Sequence, residues 1–168
     1  MSAPREIPSS IPRVGLGWDL HRLAPGRPCI LGGIRIASPV GPVGHSDADV
    51  LLHALCDALL GAAGLDDLGT LFPDTDPQWK DTPSTRFVEE ALRLLETKGL
   101  HPLSLDAVLR CDRPKIRPHR SAIREQLAGL LSLPPDRVNL KGKTLEGSSS
   151  GPETIEAQVI VLLGEKDA

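Results

Sequence analysis

The sequence has no tyrosine, and aromatic residues make up only 2% of its 168 residues. A core built from such a composition has to be aliphatic, so leucine, valine, isoleucine and alanine must supply most of the buried surface. Cysteine is also scarce. Cys29, Cys56 and Cys111 are an odd number without a CxxC pair, which argues against both a disulfide framework and a zinc finger. We therefore expect three buried, reduced thiols.

Long apolar runs and a strong charge of one sign are missing as well. No stretch approaches the ~20 apolar residues that span a membrane, and residues 1–12 lack the pattern of a signal peptide. We therefore expect a cytoplasmic protein. The formal net charge is −3, whereas a nucleic-acid binder normally carries a basic field. If this chain binds an anionic molecule, local groups have to neutralise it.

The residues that are present predict one folded domain. Hydrophobic residues account for 40% of the chain and charged residues for 24%, the profile of a globular protein. We expect residues 1–12 to form a flexible tail and residues 13–168 to form a single catalytic domain. Helical and strand patterns alternate, which predicts an α/β (α+β) fold with a mixed sheet of about four strands and three helices packed on one side.

Local patterns place the individual elements. Strands are expected over 13–23, 103–111, 138–144 and 154–163, with a short strand or hairpin at 29–36 and a loop over 39–44. Helices are expected over 46–63, 84–98 and 118–131. Ser46 and Ser84 are the expected N-caps of the first two helices. The acidic stretch 66–83 is expected to be irregular, and loops of that length are usually functional or disordered.

Three side chains form a candidate metal site. Asp19 and His21 are two residues apart on a predicted strand, so both project from the same face. His53 lies in the middle of the first helix. One carboxylate and two imidazoles suit zinc and leave a fourth position for water or substrate, as in catalytic sites. Each motif by itself also fits a structural role, because DxH is frequent by chance and a single helix histidine is often a hydrogen-bonded core residue.

Two residues extend this candidate site. His45 lies just before the helix, whose positive N-terminal end favours an anion. Asp57 follows His53 by one turn and lies on the same helix face. Both therefore belong to the surroundings of the predicted metal.

Three further segments carry groups that bind phosphates or cations. The acidic loop 66–76 offers oxygen ligands for a hydrated cation or acceptors for substrate hydroxyls, although a solvated loop has the same composition. Residues 111–117 end a strand and offer backbone amides and basic side chains to a phosphate or to the edge of a base. Residues 141–146 combine two ammonium groups, a hydroxyl and a carboxylate, which suits a metal ion shared with phosphates.

Taken together and in this order, these segments resemble the family of 2-C-methyl-D-erythritol 2,4-cyclodiphosphate synthases. The resemblance runs from Arg13 to Leu163. It is strongest in the DxH at 19–21, in HSDADVLLHALCDALLGAAGLDDLG at 45–69 and in FPDTDP at 72–77, with support from DRPKIRPH at 112–119 and KTLE at 143–146. It implies a homotrimeric phosphorus–oxygen lyase with active sites between subunits. The implied substrate, 4-diphosphocytidyl-2-C-methyl-D-erythritol 2-phosphate, is cyclised with release of CMP in the non-mevalonate isoprenoid route.

The resemblance also implies residue roles. Asp19, His21 and His53 match ligands of a tetrahedral Zn²⁺, and Glu146 matches a ligand of a Mg²⁺ or Mn²⁺ held by the substrate diphosphate. His45 and Thr144 match residues that stabilise the transition state. The matching substrate contacts are Asp19, His21, His45, Ser46, Asp57, Asp67, Leu68, Gly69, Phe72, Pro73, Asp74, Thr75 and Asp76, followed by Cys111, Asp112, Arg113, Pro114, Lys115, Ile116, Arg117, Lys143, Thr144, Leu145 and Glu146. Residues 111–117 match the cytidine pocket.

The chain departs from the family pattern in one region. A Thr-Thr-Thr-Glu run of many members reads Lys143-Thr144-Leu145-Glu146 here. The next loop, 147–152, lacks the Phe and the Arg that face a cavity for an isoprenoid diphosphate on the trimer axis, so we do not expect that ligand. Two alternatives stay open from the residues alone: a zinc-dependent phosphohydrolase, and a non-catalytic binding protein in which the metal is a structural staple.

Overall fold

The structure is a computed structural model, and it describes residues 11–73, 75–79, 82–147 and 153–165. Most of the predicted tail at 1–12 and of the Ser/Gly loop at 147–152 lies outside these residues, and so does Asp74. The division into a flexible tail and a single domain therefore stays a prediction.

The strands of the described part form a large sheet and a small hairpin. They are β1 (Arg13–Pro25), β2 (Cys29–Leu31), β3 (Ile34–Ile36), β4 (Val40–Pro42), β5 (Leu100–Arg110), β6 (Val138–Lys143) and β7 (Thr154–Glu165). The large sheet has the order β4-β1-β7-β5-β6, while β2 pairs with β3. Since β5 and β6 are parallel and the other pairs are antiparallel, the sheet is mixed, as predicted.

The sheet has five strands rather than about four. The additional strand is β4, which lies in the stretch 39–44 that the sequence predicts as a loop. The sequence pattern does not predict this strand, because it contains Gly41 and Pro42 and both residue types are depleted in strands. Proline is tolerated at a sheet edge, and β4 pairs there with Leu23–Pro25 at the end of β1.

The longer helices lie on one face of this sheet. They are α1 (Val50–Ala62), α3 (Thr85–Thr97) and α4 (Arg120–Leu130), and a one-turn helix, α2 (Leu68–Leu71), follows α1. Short 3₁₀ turns occupy Pro77–Trp79, Arg117–His119 and Pro135–Arg137. The stretch 66–83, predicted as irregular, thus contains α2 and one 3₁₀ turn. No helix of the described ranges is long and apolar enough to cross a membrane.

The core is aliphatic, as the composition requires. Ten of the thirteen residues of α1 are buried, and this helix contacts β1, β7 and α3. The three cysteines are free and buried, which confirms the prediction of reduced thiols. Burial raises the pKa of each one, so none is activated as a thiolate nucleophile.

Helix α1 lies against β1 at very short range, because β1 presents two glycines to it. A Cβ atom at Gly17 would lie 1.8 Å from the carbonyl oxygen of Ala54, and one at Gly15 would lie 1.9 Å from that of Ala58. Any side chain at either position would push the helix outward. This approach also sets how far His53, one residue before Ala54, stands from the ligands on β1.

Helix α1 begins later than predicted and has a different N-cap. The cap is Asp49, whose buried carboxylate accepts hydrogen bonds from the N–H groups of Leu51 and Leu52 and from two N–H groups of the β2–β3 turn. The prediction that Ser46 caps the helix is wrong. Ala48 has a left-handed φ of 57°, so the helical path is interrupted between Ser46 and Asp49.

Candidate active site

Asp19, His21 and His53 meet at one point, as the sequence predicts. Asp19 and His21 lie on the face of β1 that is turned towards α1, and His53 comes from α1. The Asp19 Oδ2 atom is 3.0 Å from His21 Nε2 and 3.1 Å from His53 Nδ1, and the two histidine nitrogens are 3.3 Å apart. Among the described residues this is the one group of three or more side chains that can hold a metal ion.

The spacing and chemistry of these atoms fit a tetrahedral zinc ion. With metal–ligand bonds of about 2.0 Å, neighbouring ligands of a tetrahedron are about 3.3 Å apart, close to the separations above. His21 Nδ1 lies 3.0 Å from the Val43 carbonyl oxygen. A carbonyl only accepts, so Nδ1 carries a proton, which leaves Nε2 as the nitrogen that can bind a metal.

The electrostatics also favour a positive charge between these groups. Burial by itself would raise the pKa of Asp19, but hydrogen bonds and charge from His21 and His53 hold it well below its usual range. Burial would lower the pKa of His21, yet its bond to Asp19 raises it above the ordinary value. Both directions follow from an anionic carboxylate that attracts a cation.

Aromatic and hydroxyl groups surround His53. Its ring lies 6.1 Å from that of Phe87, which packs on Phe72 and Trp79. Three of the four phenylalanine and tryptophan residues in the chain therefore collect on this side of the site. The second ring nitrogen of His53, Nε2, faces two hydroxyls, Ser84 Oγ at 3.0 Å and Ser46 Oγ at 3.2 Å.

His45 and Ser46 lie in the segment between β4 and α1. His45 is exposed, and Ser46 reaches the site through its contact with His53. The carboxylate of Asp49 accepts two of the free N–H groups of the first turn of α1, those of Leu51 and Leu52. An anion site at this end of the helix stays a prediction.

Asp57 links α1 to the predicted substrate loop. Its Oδ1 accepts a hydrogen bond of 2.8 Å from the N–H of Leu68, and burial raises the pKa of this carboxyl. Asp67 caps α2 by accepting from the Thr70 N–H at 2.8 Å. Asp67, Leu68 and Gly69 thus form a turn that is held against the helix carrying His53.

The remaining loop residues have different environments. Phe72 is buried, with its ring 5.2 Å from that of Trp79. Pro73 and Thr75 flank Asp74, which lies outside the described residues. Asp76 accepts a 3.0 Å hydrogen bond from the Gln78 N–H. Phe72 therefore anchors the loop, and contacts of its predicted residues with a substrate stay a prediction.

A second predicted set lines a cavity of about 440 Å³. The lining residues are Cys111, Pro114, Lys115, Ile116, Arg117, Arg120, Lys141, Gly142, Lys143 and Thr144. Half of these ten carry a basic side chain, so the cavity can neutralise an anion although the whole chain is acidic. The sequence predicts Lys141 only as part of the segment 141–146 and gives no signal for Arg120, which lines the cavity from α4.

Backbone and carboxylate contacts join the two segments of this cavity. The Cys111 N–H donates to the Lys143 carbonyl at 2.9 Å, and the Leu145 N–H donates to Asp112 Oδ1 at 3.0 Å. The Thr144 hydroxyl donates to Glu146, and Glu146 takes a left-handed φ of 52°. Arg113 pairs with Glu153, the residue before β7.

The two sets occupy separate places in one chain. Neither Asp19, His21 nor His53 lines the basic cavity, and strand β7 separates β1 from β5 in the sheet. Glu146 and the three metal-site residues likewise do not form one cluster of ligands within the described ranges. The structure therefore presents two candidate sites, which we call the metal half and the anion-binding half.

Fold and site together define a class: an α+β protein with a candidate catalytic metal centre and a basic cavity for an anionic small molecule. Comparison with known proteins gives the family. The sequence profile of the YgbB family matches residues 12–164, so the chain belongs to the YgbB family.

Three similar proteins share one name. The 2-C-methyl-D-erythritol 2,4-cyclodiphosphate synthase of Thermus thermophilus is 53% identical over 151 residues, which are 90% of this chain and 98% of that protein. The chloroplastic synthase of Catharanthus roseus is also 53% identical, over 92% of this chain and 66% of that protein. A solved synthase structure in its CDP-bound form is 50% identical and superposes with a TM-score of 0.85 over 90% of this chain and 99% of its own. The family resemblance drawn from the motifs is confirmed.

Two contacts of the site had no signal in the sequence analysis. Ser84 was expected only to cap α3, yet it makes no side-chain cap bond and instead reaches His53 and Asp47. Asp47 was not singled out at all. Its place as the last residue of the HSD motif at 45–47 is the one feature that points to it.

Proposed function

We propose that this protein converts 4-diphosphocytidyl-2-C-methyl-D-erythritol 2-phosphate into 2-C-methyl-D-erythritol 2,4-cyclodiphosphate and CMP, as a phosphorus–oxygen lyase of the non-mevalonate isoprenoid route. The observation that carries the proposal is the convergence of Asp19, His21 and His53 with the spacing of a zinc site. It stands in a chain whose relatives are named for this product. We propose the cytoplasm as its location.

Asp19, His21 and His53 are the residues that fit Zn²⁺, and a metal bound there acts as a Lewis acid on a phosphate oxygen. Glu146 and Thr144, which are hydrogen-bonded to each other, are proposed to hold and orient a Mg²⁺- or Mn²⁺-bound diphosphate. These metal identities are part of the proposal, since ligand type alone does not fix the metal.

The reaction needs positioning more than covalent chemistry. An oxygen of the 2-phosphate forms a bond to the β-phosphorus, and the bond from the β-phosphorus to the bridging oxygen breaks. Its electron pair leaves with CMP. Because nucleophile and electrophile belong to one molecule, holding the substrate in a folded conformation accounts for much of the rate enhancement. His45 and Thr144 are proposed to stabilise the charge that spreads over the phosphoryl oxygens.

The basic cavity is proposed to hold the cytidine end of the substrate. A CDP-bound relative of 50% identity supports a nucleotide-linked ligand. Lys115, Arg117 and Lys143 line the cavity and offer cations to phosphates. The segment 111–117 also brings backbone amide and carbonyl groups to its wall, and these can recognise the edge of a base.

We propose that the protein is a homotrimer whose active sites lie between subunits. Each chain holds the metal half and the anion-binding half in separate places, so a site built from two chains would join them. The sheet face opposite the helices also carries large exposed apolar side chains: Val14, Leu16, Trp18, Leu20, Ile160 and Leu162. We call this set the open face. Contiguous apolar surface of this kind is typical of protein–protein contacts.

The test is conversion of the substrate by purified protein with Mg²⁺, followed by chromatography and mass spectrometry. We expect equal amounts of CMP and cyclic diphosphate. His53→Ala removes one zinc ligand and should lower the rate by at least about 100-fold, whereas the control His101→Ala changes a histidine that lines another cavity and should keep activity. Wild-type turnover by His53→Ala would contradict the metal assignment.

The same measurement separates the alternatives. A zinc-dependent phosphohydrolase would use metal-bound water, and its product would be heavier than the cyclic diphosphate by one water. A binding protein with a structural zinc would release no CMP, and a cobalt-substituted sample would show no change in its visible absorption when substrate is added.

A further inference from the structure

The metal ligand His53 is connected to a buried serine and a carboxylate on its far side. Ser84, which is fully buried at the start of α3, has its Oγ 3.0 Å from His53 Nε2. The same hydroxyl bonds Asp47 Oδ1, and the Ser84 N–H donates to Asp47 Oδ2 at 3.0 Å. Asp47 thus holds Ser84 through both carboxylate oxygens.

The directions of these hydrogen bonds follow from what each group can do. An ionised carboxylate only accepts, so the Ser84 hydroxyl proton points to Asp47. The Ser84 oxygen then faces His53 with its lone pairs and accepts a hydrogen bond from Nε2. When a cation lies between Asp19 and His21, His53 therefore carries its proton on Nε2, and the lone pair of Nδ1 is free to bind that cation.

We propose that Asp47 and Ser84 are positioning residues that fix the tautomer and the ring orientation of His53 for metal binding. The inference rests on the proposed metal site. A hydroxyl without a carboxylate behind it can turn its proton towards His53 Nε2 and favour protonation at Nδ1, the nitrogen that has to bind the metal. Asp47 prevents this because the hydroxyl proton is already committed to it.

The position of Ser84 supports a role in the site rather than in the helix. A serine at an N-cap normally accepts from the backbone N–H groups of the first turn, but this one makes no such bond. Asp47, in turn, reaches across 37 residues to bond it. Ser46 Oγ, 3.2 Å from the same nitrogen, accepts from the Ala48 N–H, and within the described ranges it has no bond to a carboxylate.

The experiment measures zinc binding to the metal-free full-length protein by competition with a chromophoric chelator. We expect Ser84→Ala and Asp47→Asn each to weaken binding by about 10–100-fold, the range for residues that orient a metal ligand. Ser121→Ala removes a serine hydroxyl from the first turn of α4, where it donates to Glu125, and should leave the affinity unchanged. Ser84→Thr keeps a hydroxyl and should recover most of the affinity.

A double variant tests whether Asp47 acts through Ser84. If it does, Asp47→Asn/Ser84→Ala binds zinc about as weakly as the weaker single variant, because the second change removes nothing further. If the fold-losses of zinc affinity in the two single variants multiply in the double variant, Asp47 acts independently of Ser84 and its assignment is overturned.

Nitrogen-15 NMR of the histidine side chains gives a readout independent of metal affinity. In the zinc-bound wild type we expect His53 to bind the metal through Nδ1 and to carry its proton on Nε2, and Ser84→Ala should speed the exchange of that proton with water. Zinc bound through His53 Nε2 in the wild type would overturn the inference even if Ser84→Ala does not fold. A wild type that binds no zinc would instead refute the metal site itself. Zinc binding with wild-type affinity by Ser84→Ala would refute only the role of Ser84.

Discussion

The two faces of strand β1 carry opposite kinds of residues. The face turned to α1 has Gly15 and Gly17 followed by the candidate metal ligands Asp19 and His21. The other face has the large apolar residues of the open face, with Leu16 67% exposed and Trp18 54% exposed. Side chains alternate along a strand, so one segment of sequence supplies both surfaces.

This arrangement reverses what a strand in an isolated domain usually shows. There the large apolar side chains point to the core and small or polar ones to water. On β1 the inner face, which is turned to α1, carries the two glycines that allow the close approach of the helix and the candidate metal ligands. The apolar side chains point outward. Strand β1 therefore has two partners. One is a helix of its own chain and the other, by our proposal, is another subunit.

The largest loss of stability is expected from a side chain placed between the inner face of β1 and helix α1. Gly17→Ala places a Cβ against the backbone of α1, which is less able to move than a side chain. We expect a loss of unfolding free energy of at least about 3 kcal/mol, the upper end for overpacking, measured by urea denaturation. The control Gly61→Ala lies in α1 itself, where a Cβ meets open space, and should be neutral or slightly stabilising. Equal stability of Gly17→Ala and wild type would contradict the packing argument.

On the open face a charge should separate the subunits and leave the inner face intact. Leu16→Glu buries a carboxylate in the proposed contact without a partner, so we expect a monomer by light scattering and at least about a 100-fold loss of activity. Zinc affinity should stay within about twofold of wild type, because the metal half lies within one chain. Leu16→Met is the matched control. An unchanged assembly in Leu16→Glu would remove the open face from the interface.

The stability contributed by the residues of the inner face should also depend on pH. The pKa of His21 is raised in the metal-free protein and that of Asp19 is lowered. The stabilising contribution of His21 is present below its unfolded pKa, near 6.5, and fades as pH rises through the raised value. The contribution of Asp19 is present above about 3.8 and fades as pH falls through its lowered value.

Zinc has to displace the proton from His21. Its affinity should therefore fall by about tenfold per pH unit below the raised pKa of His21 and level off above it. A chelator competition series from acidic to mildly alkaline pH checks this. The control His101→Ala should keep the same profile, and a flat profile would contradict the role of His21 as a ligand.

The smallest effect is expected from a polar contact on the open face. Trp18 Nε1 donates to Glu156 at 2.8 Å, and Glu156 also pairs with Arg110. Trp18→Phe keeps an apolar ring but loses this bond, so we expect about 0.5–1.5 kcal/mol of lost stability in the assembled protein and unchanged zinc affinity. Trp18→Phe should also be made in the monomeric Leu16→Glu variant. If it lowers the free energy of unfolding more there than in the assembled protein, the bond lies outside the interface.

The metal half could be predicted from sequence because its signals are periodic. The spacing of two between Asp19 and His21 puts both on one strand face, and the helix that carries His53 has an unmistakable leucine pattern. The distance between strand and helix was not predictable from either segment. It depends on Gly15 and Gly17, whose importance appears only when α1 is seen against them.

The contacts that were missed are long-range or conformational. The bond between Ser84 and Asp47 joins residues 37 positions apart. The cap at Asp49 depends on the left-handed backbone of Ala48, a conformation that alanine rarely adopts, so the local pattern pointed to Ser46 instead. Strand β4 contains glycine and proline and forms only because the end of β1 offers it an edge.

The scarcity of aromatic side chains has a practical consequence for spectroscopy. With no tyrosine and two tryptophans, the ultraviolet emission of the protein comes from one indole on the open face and one in the aromatic cluster next to His53. Trp18→Phe leaves Trp79 as a reporter of ligand and metal occupancy, and Trp79→Phe leaves Trp18 as a reporter of subunit association. The natural chain thus carries one intrinsic fluorophore for each of the two regions.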